Sequence, residues 1–209
     1  MYIPAAFAET DQKRLHDFIE QYSFGLLVSE VAGRPFATHL PLLLDRQSGP
    51  EGCLLGHTAR ANPQVGQADG ETVLAVFSGP HTYISPTWYE AESVVPTWNY
   101  VAVHAYGKLQ LIEDLESLRE LVARTVRLYE QSMPRPWSFD KSSPYATRML
   151  GQIVGFRIHI ERIEGKWKLN QNQPVERRTK VIRRLQEQND ENSQTIAALM
   201  SERNSKTTQ

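Results

Sequence analysis

From Thr97 to Ile112 the chain alternates with a period of two. Val101, Val103, Ala105, Leu109 and Leu111 fall on one side, and Tyr100, His104, Tyr106 and Lys108 on the other. An alternation of this length packs one face on a core and turns the other outward, which predicts a half-buried antiparallel strand. Such a strand needs partners, and the flanking segments supply them. Phe24–Val31 reads as a buried strand, Ala32-Gly33 as a turn and residues 34–45 as the returning strand of a hairpin. Residues 53–58, 72–79 and 153–163 read as further strands. The last of these turns at Gly165, and Gln47-Ser48-Gly49-Pro50 with Gly52 marks the turn before Cys53.

Helices fill the intervals. Thr10 or Asp11 caps one whose Leu15, Phe18, Ile19 and Tyr22 share a face. Asp114 caps a stronger one with a stripe of Leu115, Leu118, Val122, Val126 and Tyr129, ended by Pro134 and Pro136. From Pro174 the composition turns to a charged helix, and residues 186–209 read as a polar helix or flexible tail. Hairpin-ordered strands with a mid-chain helix indicate an α+β protein, mainly β, as a small closed or split barrel with helices outside. Strand pattern alone leaves other α+β folds open.

The chain has 209 residues and a net charge of −1. That size suits one substantial core plus a tail, divided here as residues 1–185 and 186–209. The charge leaves no global footprint for nucleic acid, so any DNA contact must rest on a local patch. The single cysteine, Cys53, excludes an internal disulfide and a cysteine-based zinc site, and reads as a small core residue. The six histidines do not pair at metal-ligand spacing beside a carboxylate, so no metal site is expected. There is no nucleophile elbow, phosphate loop or dinucleotide fingerprint. No apolar signal run or membrane-length window occurs, and the expected location is the cytoplasm.

A second feature is chemical. FSGPHTYISPTWY (residues 77–89) and VPTWNYVAVHAYGKL (residues 95–109) hold two Trp, four Tyr and two His with Ser and Asn among them. A barrel core does not require that density; a flat aromatic ligand with a hydrogen-bonding edge would. Together with GHTARANPQ (residues 56–64), MYIPAAF (residues 1–7) and IVGFRIHIERIEGKWKLNQN (residues 153–172), these segments resemble the PaiB-type, FMN-binding negative transcriptional regulators. The resemblance covers most of residues 1–185. It implies a split β-barrel of the flavin reductase and pyridoxamine-phosphate oxidase type, a homodimer and bound FMN.

The chemistry of FMN then assigns candidates. Its phosphate wants a guanidinium, hydroxyls and N–H groups at a helix start, which His57, Thr58, Arg60 and Asn62 offer just before Pro63. A solvated strand-to-helix turn would use the same Thr and Asn as caps. Its ring wants edge donors and aromatic walls, offered by Tyr83, Ser85, Trp98 and Asn99, each of which also suits core or turn duty. Lys168 is a candidate contact to phosphate or ring, or a surface lysine beside a polar loop. No catalytic residue can be named. The resemblance implies transcriptional repression or flavin-linked sensing. The alternative is an FMN-dependent oxidoreductase, flavin reductase or pyridoxamine-phosphate-oxidase-like, using a nicotinamide donor. Arg177, Arg178, Lys180, Arg183 and Arg184 make a local basic helix that could meet DNA phosphates. Its Val181, Ile182 and Leu185 face argues instead for packing, and no recognition helix precedes it.

Overall fold

A computed structural model describes residues 1–207. Its strands are β1 (Ala8–Glu9), β2 (Phe24–Val31), β3 (Arg34–Pro41), β4 (Leu43–Asp45), β5 (Cys53–Ala59), β6 (Thr72–Ile84), β7 (Thr97–Ile112) and β8 (Ile153–Lys168). Its helices are α1 (Gln12–Gln21), α2 (Pro63–Ala68), α3 (Leu115–Glu130), α4 (Pro144–Leu150), α5 (Val175–Gln186) and α6 (Glu191–Thr207). The sheet order is β3-β2-β6-β7-β8-β5-β4, with β1 on β8. The β1–β8, β2–β3, β2–β6, β4–β5 and β5–β8 pairings are antiparallel. The chain divides into two compact units, each of separate stretches: a central unit (Ile19–Phe77 and His104–Ile163) and a terminal unit (Met1–Phe18, Ser78–Val103 and Glu164 onward).

In the central unit the hairpin turns where expected. Ala32 and Gly33 both have positive φ, 52° and 73°, as a two-residue turn matched to strand twist requires. The expected single strand over 34–45 is two, β3 and β4. Pro41 offers no N–H to a ladder, and Leu42 N–H turns aside to the Ser23 carbonyl at 2.8 Å. The core holds Leu27, Leu54, Phe77, Leu109, Phe156 and Ile158, all fully buried, each stabilising by about 1.5–3 kcal/mol. Cys53 joins it at 2 % exposure, and burial pushes its thiol pKa up. Gln64 is the polar exception. Fully buried, its Nε2 donates to the carbonyls of Leu27 and Phe36 and to Ser29 Oγ, which pins α2 to the hairpin. Asp114 caps α3 as expected, accepting from Ser117 N at 2.8 Å.

In the terminal unit β8 does not turn at Gly165 but continues to Lys168. Glycine is needed there for close approach rather than bending, since a Cβ would stand 2.2 Å from Leu15 Cδ2 and 2.9 Å from the Trp167 ring. Trp167 in turn meets Phe18 edge to face at 5.3 Å, with the Arg14 guanidinium over it at 5.4 Å. β6 likewise runs past Gly79 to Ile84. Residues 191–207, poor in aliphatics, form α6, on which Ile196, Ala197 and Met200 are buried, Leu199 half-buried and Ala198 exposed. On α5, Val181, Ile182 and Leu185 are buried, and so is Arg178.

Candidate functional site

The terminal unit carries an open aromatic sheet face. β7 alternation buries Asn99, Val101 and Val103 and turns Trp98 and Tyr100 the other way. Trp98 is 53 % exposed and Tyr83, from β6, 45 %. Their rings meet edge to face at 6.0 Å, and His81 lies 6.3 Å from Trp98. Two lysines of β8 border this group. Lys166 Nζ donates to the Tyr2 carbonyl at 3.0 Å and sits 5.2 Å from the Tyr100 ring. Lys168 Nζ donates to the Trp98 carbonyl at 2.6 Å and to Thr97 Oγ1. Burial first, then the neighbouring Lys166 charge, lowers the Lys168 pKa below its ordinary value.

Sequence position did not reveal which way each candidate faces. Asn99, adjacent to Trp98, is fully buried, its Nδ2 on Met200 Sδ at 3.4 Å and its Oδ1 without a donor among the described residues. It therefore faces away from the surface that presents Trp98. Ser85 caps the 3₁₀ turn Pro86–Tyr89, bonding Thr87 N at 3.3 Å and Thr87 Oγ1 at 2.8 Å. Asn170, in the polar loop directly after Lys168, has φ 62° and donates from Nδ2 to Tyr89 Oη at 2.9 Å. Asparagine tolerates that left-handed backbone, which is the signal a sequence reading could have used.

The phosphate candidates lie in the central unit. Asn62 Oδ1 accepts from Gln64 N at 3.0 Å, and its Nδ2 donates to Thr38 Oγ1 at 3.0 Å and Thr58 Oγ1 at 3.3 Å. The Arg60 guanidinium donates from Nε to the Gly151 carbonyl at 3.2 Å and from Nη2 to the Ile153 carbonyl at 2.9 Å, while Nη1 has no partner among the described residues. His57 stands apart from Thr58, since successive β5 residues point to opposite faces. His57 instead lines a cleft with Val122, Val126, Trp137, Phe139 and Met149. Burial lowers its pKa below the ordinary 6.5. The unfolded chain then binds a proton that the folded chain refuses, so His57 destabilises the fold as pH drops through 6.5 toward its lowered value. Urea denaturation of wild type and His57→Gln between pH 5 and pH 8 should show a shallower acid limb in the variant.

Two observations fit FMN. An exposed aromatic pair with a lysine beside it suits the ring and its polar edge, and a guanidinium with spare N–H groups suits a phosphate. Among the described residues no three His, Cys, Asp or Glu come together as a metal site, and no helix is long and apolar enough to cross a membrane.

Comparison with known proteins agrees. Residues 1–162 match a family described as "Putative FMN-binding domain". The chain is 40 % identical over 205 residues to "Protease synthase and sporulation protein PAI 2" of Bacillus subtilis, covering 97 % of this chain and 98 % of that protein. Among solved structures, the flavocytochrome Anf3 from Azotobacter vinelandii superposes with a TM-score of 0.60 at 13 % identity, covering 77 % of this chain and 69 % of that one. The FAD and heme binding protein from Mycobacterium smegmatis gives 0.59 at 12 % identity, over 77 % and 73 %. The shared fold is the split β-barrel, antiparallel sheet with helices. The chain belongs to the PaiB-type FMN-binding family.

Proposed function

We propose that the chain, as a homodimer in the cytoplasm, uses bound FMN in flavin-linked sensing that ends in transcriptional repression, a role in keeping with the sporulation and protease name of its Bacillus relative. The observation that carries the reading is the open Tyr83–Trp98 pair bordered by Lys168. Half-exposed aromatics gathered on one sheet face call for cover, and a flat ring together with a second copy of the chain would provide it. In the terminal unit, Tyr83 and Trp98 are the candidates to wall a flavin ring and Lys168 to meet its polar edge. In the central unit, Arg60, Thr58 and Asn62 are the candidates for a phosphate; bound FMN supplies reversible electron storage.

DNA contact through α5 would draw on Arg177 and Arg183. Arg178 is buried, while Lys180 pairs with Glu90 at 2.9 Å and Arg184 with Glu187 at 3.0 Å. A second reading, an FMN-dependent oxidoreductase using a nicotinamide donor, is favoured by Lys168, whose depressed pKa suits proton transfer beside a flavin.

FMN titration of the purified chain decides the first step. Arg60→Ala should weaken FMN by about 10- to 100-fold, the loss of a charge-assisted contact of ~1.5–3 kcal/mol. Trp98→Ala should weaken it as well and reduce the dimer by light scattering. Unchanged affinity in both variants would sink the site. Gel shifts on upstream DNA should then show binding that falls steeply with salt, by about 0.9 log units per log unit of salt for each phosphate contacted. Anaerobic turnover of NADH or NADPH without any shift would favour the enzyme.

A further inference from the structure

Between α3 and α4 the central unit leaves a cleft of about 400 Å³. Its rim holds Trp137, Tyr145 and Met149, exposed by 60 %, 63 % and 45 %. Single exposed apolar residues are ordinary on a protein surface, but three large ones converging on one hollow are not. Below them the cleft rests on a packed floor. Ile112, Leu118, Leu121 and Leu150 form a buried cluster, with Val122, Phe139 and Ile153 against it.

The walls are held in place by the chain itself. Trp137 N donates to Glu130 Oε2 at 2.7 Å, the Lys141 ammonium pairs with Glu120, and Ser143 Oγ caps α4 through Ala146 N. Trp137 and Phe139 lie 6.3 Å apart at 57°, and the Arg148 guanidinium sits 5.2 Å from the Tyr145 ring centre. A hollow built this way requires little ordering when a ligand enters.

Its polar content is small. Asp140 lines the cleft, but its Oδ1 accepts from Ser142 N and Oγ at 2.9 Å and 2.7 Å. With the Tyr145 hydroxyl on the exposed rim, that leaves inside the cleft the His57 ring, which nothing among the described residues hydrogen-bonds. A neutral imidazole offers one donor and one acceptor nitrogen. The volume falls in the range of small-molecule sites, and apolar walls with one convergent polar group are their usual composition.

We propose that this cleft binds an uncharged planar aromatic small molecule, its rings between Trp137, Phe139 and Met149 and a single hydroxyl or amine on His57. The site is separate from the flavin reading, because Thr58 follows His57 on β5 and points to the opposite face. A charged ligand is disfavoured: Asp140, the one charged residue lining the cleft, repels an anion and already accepts two hydrogen bonds from Ser142, and the apolar walls would strip an ion of its water.

The probe is N-phenyl-1-naphthylamine, whose fluorescence rises in apolar surroundings, titrated into the full chain with and without FMN. Saturable one-to-one binding is expected in both forms. Ala146→Trp fills the cleft and Met149→Trp narrows its exposed rim, and each should weaken the probe by about tenfold or more while leaving FMN affinity unchanged. In wild type 1-naphthol should bind more tightly than naphthalene, and that gap should vanish in His57→Phe. Non-saturable binding, or probe affinity untouched by both tryptophan variants, would overturn the proposal. Displacement of the probe by one equivalent of FMN would overturn it differently, by giving the cleft to the flavin.

Discussion

Gly107→Val is expected to lower the stability of the fold by at least about 3 kcal/mol, among the largest effects available to a single substitution. Gly107 lies on the inward side of β7, and a Cβ built there would stand 2.1 Å from the His159 carbonyl oxygen and 3.0 Å from Ile160 Cα. Both atoms belong to the main chain of β8, so no rotamer relieves the clash. The strands must separate, and the ladder between them loses hydrogen bonds in a buried region. Urea denaturation measures it, with Gly66→Ala as a comparison. Gly66 lies in α2 with open space where a side chain would go, and its alanine should stabilise by up to about 1 kcal/mol. A Gly107→Val protein as stable as wild type would mean that β7 and β8 are not this close.

Trp167→Ala should cost about 3–5 kcal/mol, in the range of large aromatic deletions from a core. The indole is 2 % exposed and joins the end of β8 to α1 through Phe18 and Arg14. Removing it leaves a void that Gly165 cannot fill and strips Phe18 of its edge-to-face partner. Trp167→Phe should recover a good part of the loss. The same truncation should weaken FMN, because Lys166 and Lys168 flank Trp167 on a strand whose position depends on it. Thermal denaturation and FMN titration of the two variants, run at a temperature where both remain folded, separate the stability effect from the binding effect.

The parts of the fold that were legible in sequence are those where one period governs a long run. β7 alternates from Asn99 to Gln110 and shifts phase only at its end, where Ile112 rather than Leu111 is buried. α3 has its capping aspartate and buries Leu118, though Leu115 and Tyr129 at the ends of the expected stripe are exposed and Leu121 and Ala123 are buried instead. β8 was misjudged at Gly165 because a glycine needed for close packing looks, in sequence, like one needed for a turn. Candidate residues were harder still. Composition suggested a flat ligand, yet adjacent residues of a strand share a motif while facing opposite ways, and so His57 parts from Thr58 and Asn99 from Trp98. The aromatic cleft drew no notice because Trp137, Phe139 and Tyr145 follow two prolines that read simply as a helix stop. Ser143-Pro144, a capping residue followed by proline at the first helical position, was the signal for α4. α6 buries only a few aliphatics, too few to stand out from a polar tail.

The pairing of β1 with β8, Ala8 opposite Lys166 and Glu9 opposite Gly165, has a consequence for how the chain folds as it is made. Closing a loop of that length costs about 2–3 kcal/mol more than closing one of ten residues. On a ribosome adding ~5–20 residues per second, residues 1–18 emerge roughly 8 to 30 s before the strand they pair with. During that interval Leu15 and Phe18, later buried, face water or whatever else is near. A chaperone binding site early in synthesis should therefore include these two side chains, and release should coincide with the emergence of Trp167.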